Sequence, residues 1–79
     1  MTEKGRTTHG LRTDDEIALS IRQALKLDND VPDEKIKVQV RDAVAVLEGI
    51  VETELQKETA EADARRIRGV RDVVNRIEA

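Results

Sequence analysis

The chain has 79 residues and a formal net charge of -3, with 39% charged residues and no Cys, Phe, Trp or Tyr. That length holds one domain, and its core must be built from Ile, Val, Leu and Ala, of which the larger side chains contribute roughly 1.5–3 kcal/mol each on burial. A disulfide framework and a thiolate metal site are excluded, no apolar run approaches the roughly 20 residues of a membrane-crossing helix, and two layers without aromatics leave no room for a ligand cavity of roughly 300 Å³, so recognition is expected on the outer surface.

Residues 1–12 combine Gly5, Gly10, Thr7 and Thr8 with scattered charges and are expected to form a disordered, mildly basic arm. Met1 to Thr13 is polar except for Leu11 and lacks the apolar run of a secretory signal, which leads to the expectation of a cytoplasmic chain as written. Thr13-Asp14-Asp15-Glu16 has the form of a capping box and predicts a helix from Asp14. Ile17, Ile21, Ala24 and Leu25 supply its apolar stripe, and its acidic first turn suits the positive end of the helix dipole. Asp28-Asn29-Asp30 and Pro32 end it near Leu27, and Val31 is expected to tuck back under a sheet.

Ile36, Val38 and Val40 alternate with Lys35, Lys37, Gln39 and Arg41, the period-two pattern of a strand with one buried face. After a break at Arg41-Asp42-Ala43, the run from Val44 to Val51 predicts a second strand and a hairpin. Ala45, Leu47, Gly49 and Val51 share one face of it; Val44, Val46 and Ile50 share the other, interrupted by Glu48. Thr53-Glu54-Leu55-Gln56 repeats the capping box and starts a second helix, on which Ala60, Ala64 and Ile67 share a face. Leu55 lies off that stripe, in a partly exposed first turn. Gly69 is placed as the left-handed C-cap, with Arg65, Arg66 and Arg68 complementing the dipole. Val70, Val73, Val74 and Ile77 drive a third strand, and pattern alone does not decide which of Val73 and Val74 points inward. The predicted fold is α+β: a single αββαβ domain over residues 13–79, with two helices packed on one face of a three-stranded mixed sheet.

An ordered set of residues then resembles a known family. Ala24-Leu25 closes the first helix, Ile36-x-Val38 marks the first strand, Asp42 the hairpin, and Leu47-x-Gly49-x-Val51 the second strand. Ala60, Ala64 and Ile67 follow in the second helix, then Gly69-Val70 and Val73-x-Asn75-x-Ile77. Together they resemble the BON domain, named from bacterial osmotic-shock and nodulation-related proteins. The resemblance implies a binding module without a catalytic centre, directed at phospholipid surfaces or envelope proteins, often periplasmic or membrane-attached, with a setting in osmotic or stress response. One position departs: Ala43 stands where the family usually has Gly after the hairpin Asp. A positive φ costs a Cβ-bearing residue roughly 1 kcal/mol or more, so a different turn is expected here.

No constellation for catalysis, cofactor binding or metal binding stands out. Ser20 and His9 are the sole Ser and His, and the arm that carries His9 gives it neither a base partner nor a second ligand. Asp28, Asn29, Asp30, Asp33 and Glu34 lack the spacing and glycine of a calcium loop. Asp14, Asp15, Glu16, Glu54, Glu58, Glu61 and Asp63 are expected on exposed helix surface, with no reason for shifted pKa values. Nucleic-acid binding is disfavoured, because there is neither a GxxG clamp of the KH type nor an aromatic for base stacking.

The candidate binding surface is the sheet face away from the helices, with Lys35, Lys37 and Arg41 beside Val44, Val46 and Ile50. An ordinary open face, with lysine and arginine stems covering the valines, would carry the same residues. A secondary basic patch is expected at Arg65, Arg66, Arg68, Arg71 and Arg76, where dipole complementation is the plainer reading of the first three. The expected partner is a phospholipid surface or an envelope-associated protein. The alternative is a protein–protein or self-association module using Val44, Val46 and Ile50 or an exposed sheet edge.

Overall fold

A computed structural model describes residues 12–79. Of the expected arm at 1–12, residues 1–11, His9 included, lie outside the described residues; Arg12 is described, and its guanidinium donates to the Glu16 and Arg68 carbonyls and to Ser20 Oγ.

Helix α1 (Asp14–Leu27) starts where both halves of its capping box close. The Glu16 N–H donates to Thr13 Oγ1 at 3.1 Å and the Thr13 N–H donates to Glu16 Oε1 at 3.0 Å. A 3-10 turn (Asp33–Lys35) leads into β1 (Ile36–Arg41), followed by β2 (Val44–Ile50), α2 (Glu54–Arg65) and β3 (Asp72–Glu78). The second capping box closes in the same way: the Gln56 N–H donates to Thr53 Oγ1 and the Thr53 N–H to Gln56 Oε1. The sheet order is β1-β2-β3, with β1 antiparallel to β2 and β3 parallel to it. A parallel neighbour requires a crossover, and α2 supplies it.

Val38, Ala45, Leu47, Val73 and Ile77 on the inner sheet face pack against Ile17, Ala18, Ile21 and Leu25 of α1 and Ala60 and Ala64 of α2. Val31 and Val51 join the same core from the loops. The two alanines are fully buried, and with no larger side chain in the way α2 lies close to the sheet. Val73 is buried whereas Val74 is 39% exposed, which settles the direction of β3. Asn75 also lies in register with inward Leu47. Its Nδ2 donates to the Lys57 carbonyl at 3.0 Å and to Glu61 Oε1 at 3.2 Å, binding the middle of α2 to the edge strand.

Three local expectations are corrected. The hairpin keeps a turn with positive φ at both central residues, Asp42 at 52° and Ala43 at 66°, despite the Cβ of Ala43. That backbone is held from both sides: Asp14 accepts from the Asp42 and Ala43 N–H groups, and the Ala43 carbonyl accepts from the Arg71 N–H. Helix α2 ends at Arg65 with Arg66 as its C-cap, so Gly69, at φ 97°, belongs to the following turn and not to the cap. A Cβ on Gly69 would lie 3.1 Å from Ile17 Cδ1, so the glycine lets this turn close over α1. Val70 packs against the core from that turn, and β3 begins only at Asp72.

Candidate binding surface

The register lays out the open sheet face in rows across the strands. Arg41, Val44 and Asp72 form the first row, Gln39, Val46 and Val74 the second, and Lys37, Glu48 and Arg76 the third. Ile50 pairs with Glu78 beyond them, and Lys35 stands exposed in the 3-10 turn just before β1. Lys37, Arg41, Val44, Val46 and Ile50 are thus brought together as expected from the alternation, with Lys35 at the margin. Ile50 is 68% exposed and Val74 joins Val44 and Val46, so the middle of the face is apolar.

The charge pattern is more mixed than the first strand alone indicates. Glu48 lies between Lys37 and Arg76 and stands 3.9 Å from the Arg76 guanidinium. Asp72 and Glu78 add acidic groups on the β3 side. The cations therefore gather in the β1 column, at Lys35, Lys37 and Arg41, and none of these is ion-paired to a carboxylate among the described residues. The depressions on this face, one lined by Gln39, Arg41, Val46, Glu48 and Arg76 and one by Lys35, Lys37, Glu48 and Gly49, are open to solvent.

Of the five arginines of the secondary patch, Arg65, Arg66, Arg68 and Arg71 lie at the end of α2 and in the connection to β3, and Arg76 lies apart on the open face. Arg65, in the last turn of α2, pairs with Glu61 at 3.0 Å and with Asp72 at 3.4 Å. Arg66 caps that helix. Arg68 and Arg71 take part in local bonding through their backbones, the Arg68 carbonyl accepting from Arg12 Nη1 and the Arg71 N–H donating to Ala43. Arg76 belongs to the open face.

Both sheet edges are partly occupied by side chains. On β1 the Val38 carbonyl accepts from Arg22 Nη2 at 3.3 Å. On β3 the Val73 N–H donates to Asp72 Oδ1 at 2.8 Å and the Ile77 N–H to Asn75 Oδ1 at 3.1 Å. Side chains that take up backbone donors and acceptors at an edge oppose strand addition, so the flat face is left as the larger binding surface.

One carboxylate departs from the expectation of an exposed, unshifted helix surface. Asp63 is half-buried, and its pKa is pushed up to about 6, first by burial and then by the hydrogen bond with, and the charge of, Asp28, against the pull of Arg66. The hydrogen bond from Asp63 holds Asp28 below the usual carboxylate range, helped by the Asp30 N–H. Asp63 Oδ2 is buried and has no hydrogen-bond partner among the described residues, an environment that disfavours the ionised carboxylate. The two residues come from the ends of different helices, a meeting that sequence periodicity does not encode.

Among the described residues no helix is long and apolar enough to cross a membrane. The family model of the BON domain matches residues 13–79, from the first N-cap to the end of the chain. A search of curated proteins finds no match. The family match covers both capped helices, all three strands and the open face, and the chain belongs to the BON domain family.

Proposed function

We propose that this chain is a non-enzymatic binding module that docks through its open sheet face on an anionic phospholipid surface, with β1 leading. The observation that carries this reading is the column of Lys35, Lys37 and Arg41 beside the solvent-facing Val44, Val46 and Ile50. Each cation near an anionic membrane contributes around 1 kcal/mol, so three of them give weak, salt-sensitive attachment. Glu48, Asp72 and Glu78 are repelled by the same surface, and the domain therefore tilts onto its β1 side. The family's character as a binding module supports the general class of this reading.

Vesicle co-sedimentation tests it. Binding to vesicles containing an anionic lipid, lost in raised salt and in the Lys37→Glu/Arg41→Glu variant, is the expected result. Equal and negligible binding to anionic and neutral vesicles rejects the lipid. A second reading, a protein partner, is favoured by the alternation of charge signs across the rows of the face.

A further inference from the structure

We propose that the groove between the turn after α1 and the first turns of α2 is a second docking site, which takes a basic peptide segment of a protein partner. Lysine or arginine side chains of the partner sit at Asp28 and Asp30, and its aliphatic groups lie on Leu55 and Leu27. The groove has a volume of about 390 Å³ and is lined by Asn29, Asp30, Thr53, Leu55, Gln56 and Thr59. It belongs to the helix layer, on the side of the sheet away from the open face, so it stays accessible when that face is docked.

Two features of this place have no use inside the fold. The first is a pair of leucines: Leu27 and Leu55 are 83% and 70% exposed, the most exposed large aliphatic side chains among the described residues, and neither belongs to the core. Leu27 closes α1 just before the turn, and Leu55 stands in the wall that α2 gives to the groove. The second is charge. The Asp30 N–H donates to Asp28 Oδ1 at 3.0 Å, which sets the two carboxyls at one turn, and neither is ion-paired among the described residues. Asp63, on the same face of α2 as Thr59, brings a third carboxyl against Asp28. Arg66 pulls on Asp28 and Asp63, but none of the six lining residues is basic.

Charge complementarity selects the occupant. Carboxyls gathered at a concave surface focus a negative potential that draws in cations. The apolar wall at Leu55 suits the methylene stem of a lysine or arginine whose charged head reaches past it. An anionic lipid surface is repelled by the same potential and does not compete for the groove. Rim charges and one open groove give modest affinity, with a dissociation constant on the order of 0.1–1 mM for a short peptide.

An NMR titration of the full chain with the capped peptide Lys-Leu-Lys-Lys-Leu-Lys tests the proposal. The expected result is a set of saturable amide shifts at Asn29, Asp30, Leu55 and Thr59, weakened by added salt and absent with the peptide in which Glu replaces each Lys. Leu55→Ser and Asp30→Lys are each expected to weaken binding by about tenfold. Leu55 lies outside the core and Asp30 contributes its backbone N–H to the turn, so both variants fold, as thermal melts check; Leu27→Ser is a second apolar variant. Shifts confined to the open face, equal binding of the two peptides, binding indifferent to both Leu55→Ser and Asp30→Lys, or no saturable shift overturns the proposal. These substitutions spare the open face. Vesicle binding that persists when the groove fails to bind removes this site alone, and peptide binding without vesicle binding rejects the lipid and keeps the groove.

Discussion

Asp14, the first residue of α1, and Ala43, in the hairpin turn, are joined by a 2.9 Å hydrogen bond from the Ala43 N–H to Asp14 Oδ1. The other carboxylate oxygen accepts from the Asp42 N–H at 2.9 Å. A single side chain thus fixes the tip of the β1–β2 hairpin to the start of the helix that covers it. Bonds to a charged acceptor contribute roughly 1.5–3 kcal/mol, and Asp14 also favours the positive end of α1. Asp14→Ala is therefore expected to cost about 2 kcal/mol, seen as a fall in Tm of roughly 10 °C for a domain of this size. Asp15→Ala, one residue on and exposed, loses only the dipole contribution of about 0.5 kcal/mol. Equal effects of the two substitutions on thermal melts would show that the hairpin contact contributes nothing.

Ala43 itself carries a removable cost. Its φ of 66° lies in the left-handed region, where a Cβ costs roughly 1–2 kcal/mol. Glycine removes that cost and gives back part of it as greater freedom of the unfolded chain. Ala43→Gly is expected to stabilise the domain by about 0.5–1 kcal/mol, measured as a shift in the denaturant midpoint at unchanged slope.

The contrast between these residues and the rest of the fold shows what the sequence makes legible. Thr13 with Glu16, the stripe of Ile17, Ile21 and Leu25, and the alternation of Ile36, Val38 and Val40 are read directly because each signal is complete within one element. The conformation of Ala43 is not, since it depends on a carboxylate 29 residues earlier. Nor is the environment of Asp63, which depends on Asp28 at the end of another helix. The apolar and basic residues of the open face follow from strand alternation. Their acidic neighbours fall into place only through the parallel register of β2 with β3, which sets Glu48 beside Arg76 and Val44 beside Asp72. Nearness in sequence groups Arg76 with Arg65, yet Arg76 lies on the open face whereas Arg65 closes α2.

Asp63 gives the domain a pH dependence of definite sign. Its carboxyl has a pKa of about 6 in the folded chain against 3.8 for an unperturbed aspartate, so folding favours the protonated form. That contribution is complete below the lower value and is lost as pH rises through about 6. Asp28 is shifted downward and acts in the opposite sense: its contribution is present above 3.8 and is lost as pH falls through its depressed folded value. The pair therefore contributes most on the acid side of neutrality, between these limits. Asp63→Asn presents an uncharged donor to Asp28 at every pH. It is expected to stabilise the domain at neutral and higher pH by about 1 kcal/mol, after allowance for solvent screening at a half-exposed site, and to change little near pH 4. Urea unfolding of both proteins across this range tests the sign; a variant whose advantage does not shrink as pH falls would contradict it.

Gly49 has less room for a side chain than Gly69. It is paired with Ile36 across β1 and β2, has a φ of 148°, and a Cβ built there would lie 2.1 Å from the Lys35 carbonyl oxygen. The clashing atom is backbone, at the junction of the 3-10 turn with β1, so no side-chain rotation relieves it. The turn can yield only by moving Ile36, which packs on the core, and by disturbing the pairing that aligns Lys37 with Glu48. Gly49→Ala is expected to cost at least about 3 kcal/mol, combining overpacking with an unfavourable φ. At Gly69 the nearest obstacle is the flexible end of the Ile17 side chain, at 3.1 Å, and Gly69→Ala is expected to cost about 1–2 kcal/mol, chiefly from its positive φ. Comparison of the two alanine variants by thermal unfolding tests the difference in mechanism: a Gly49→Ala protein no less stable than Gly69→Ala would mean that the 3-10 turn shifts away from β2 without loss.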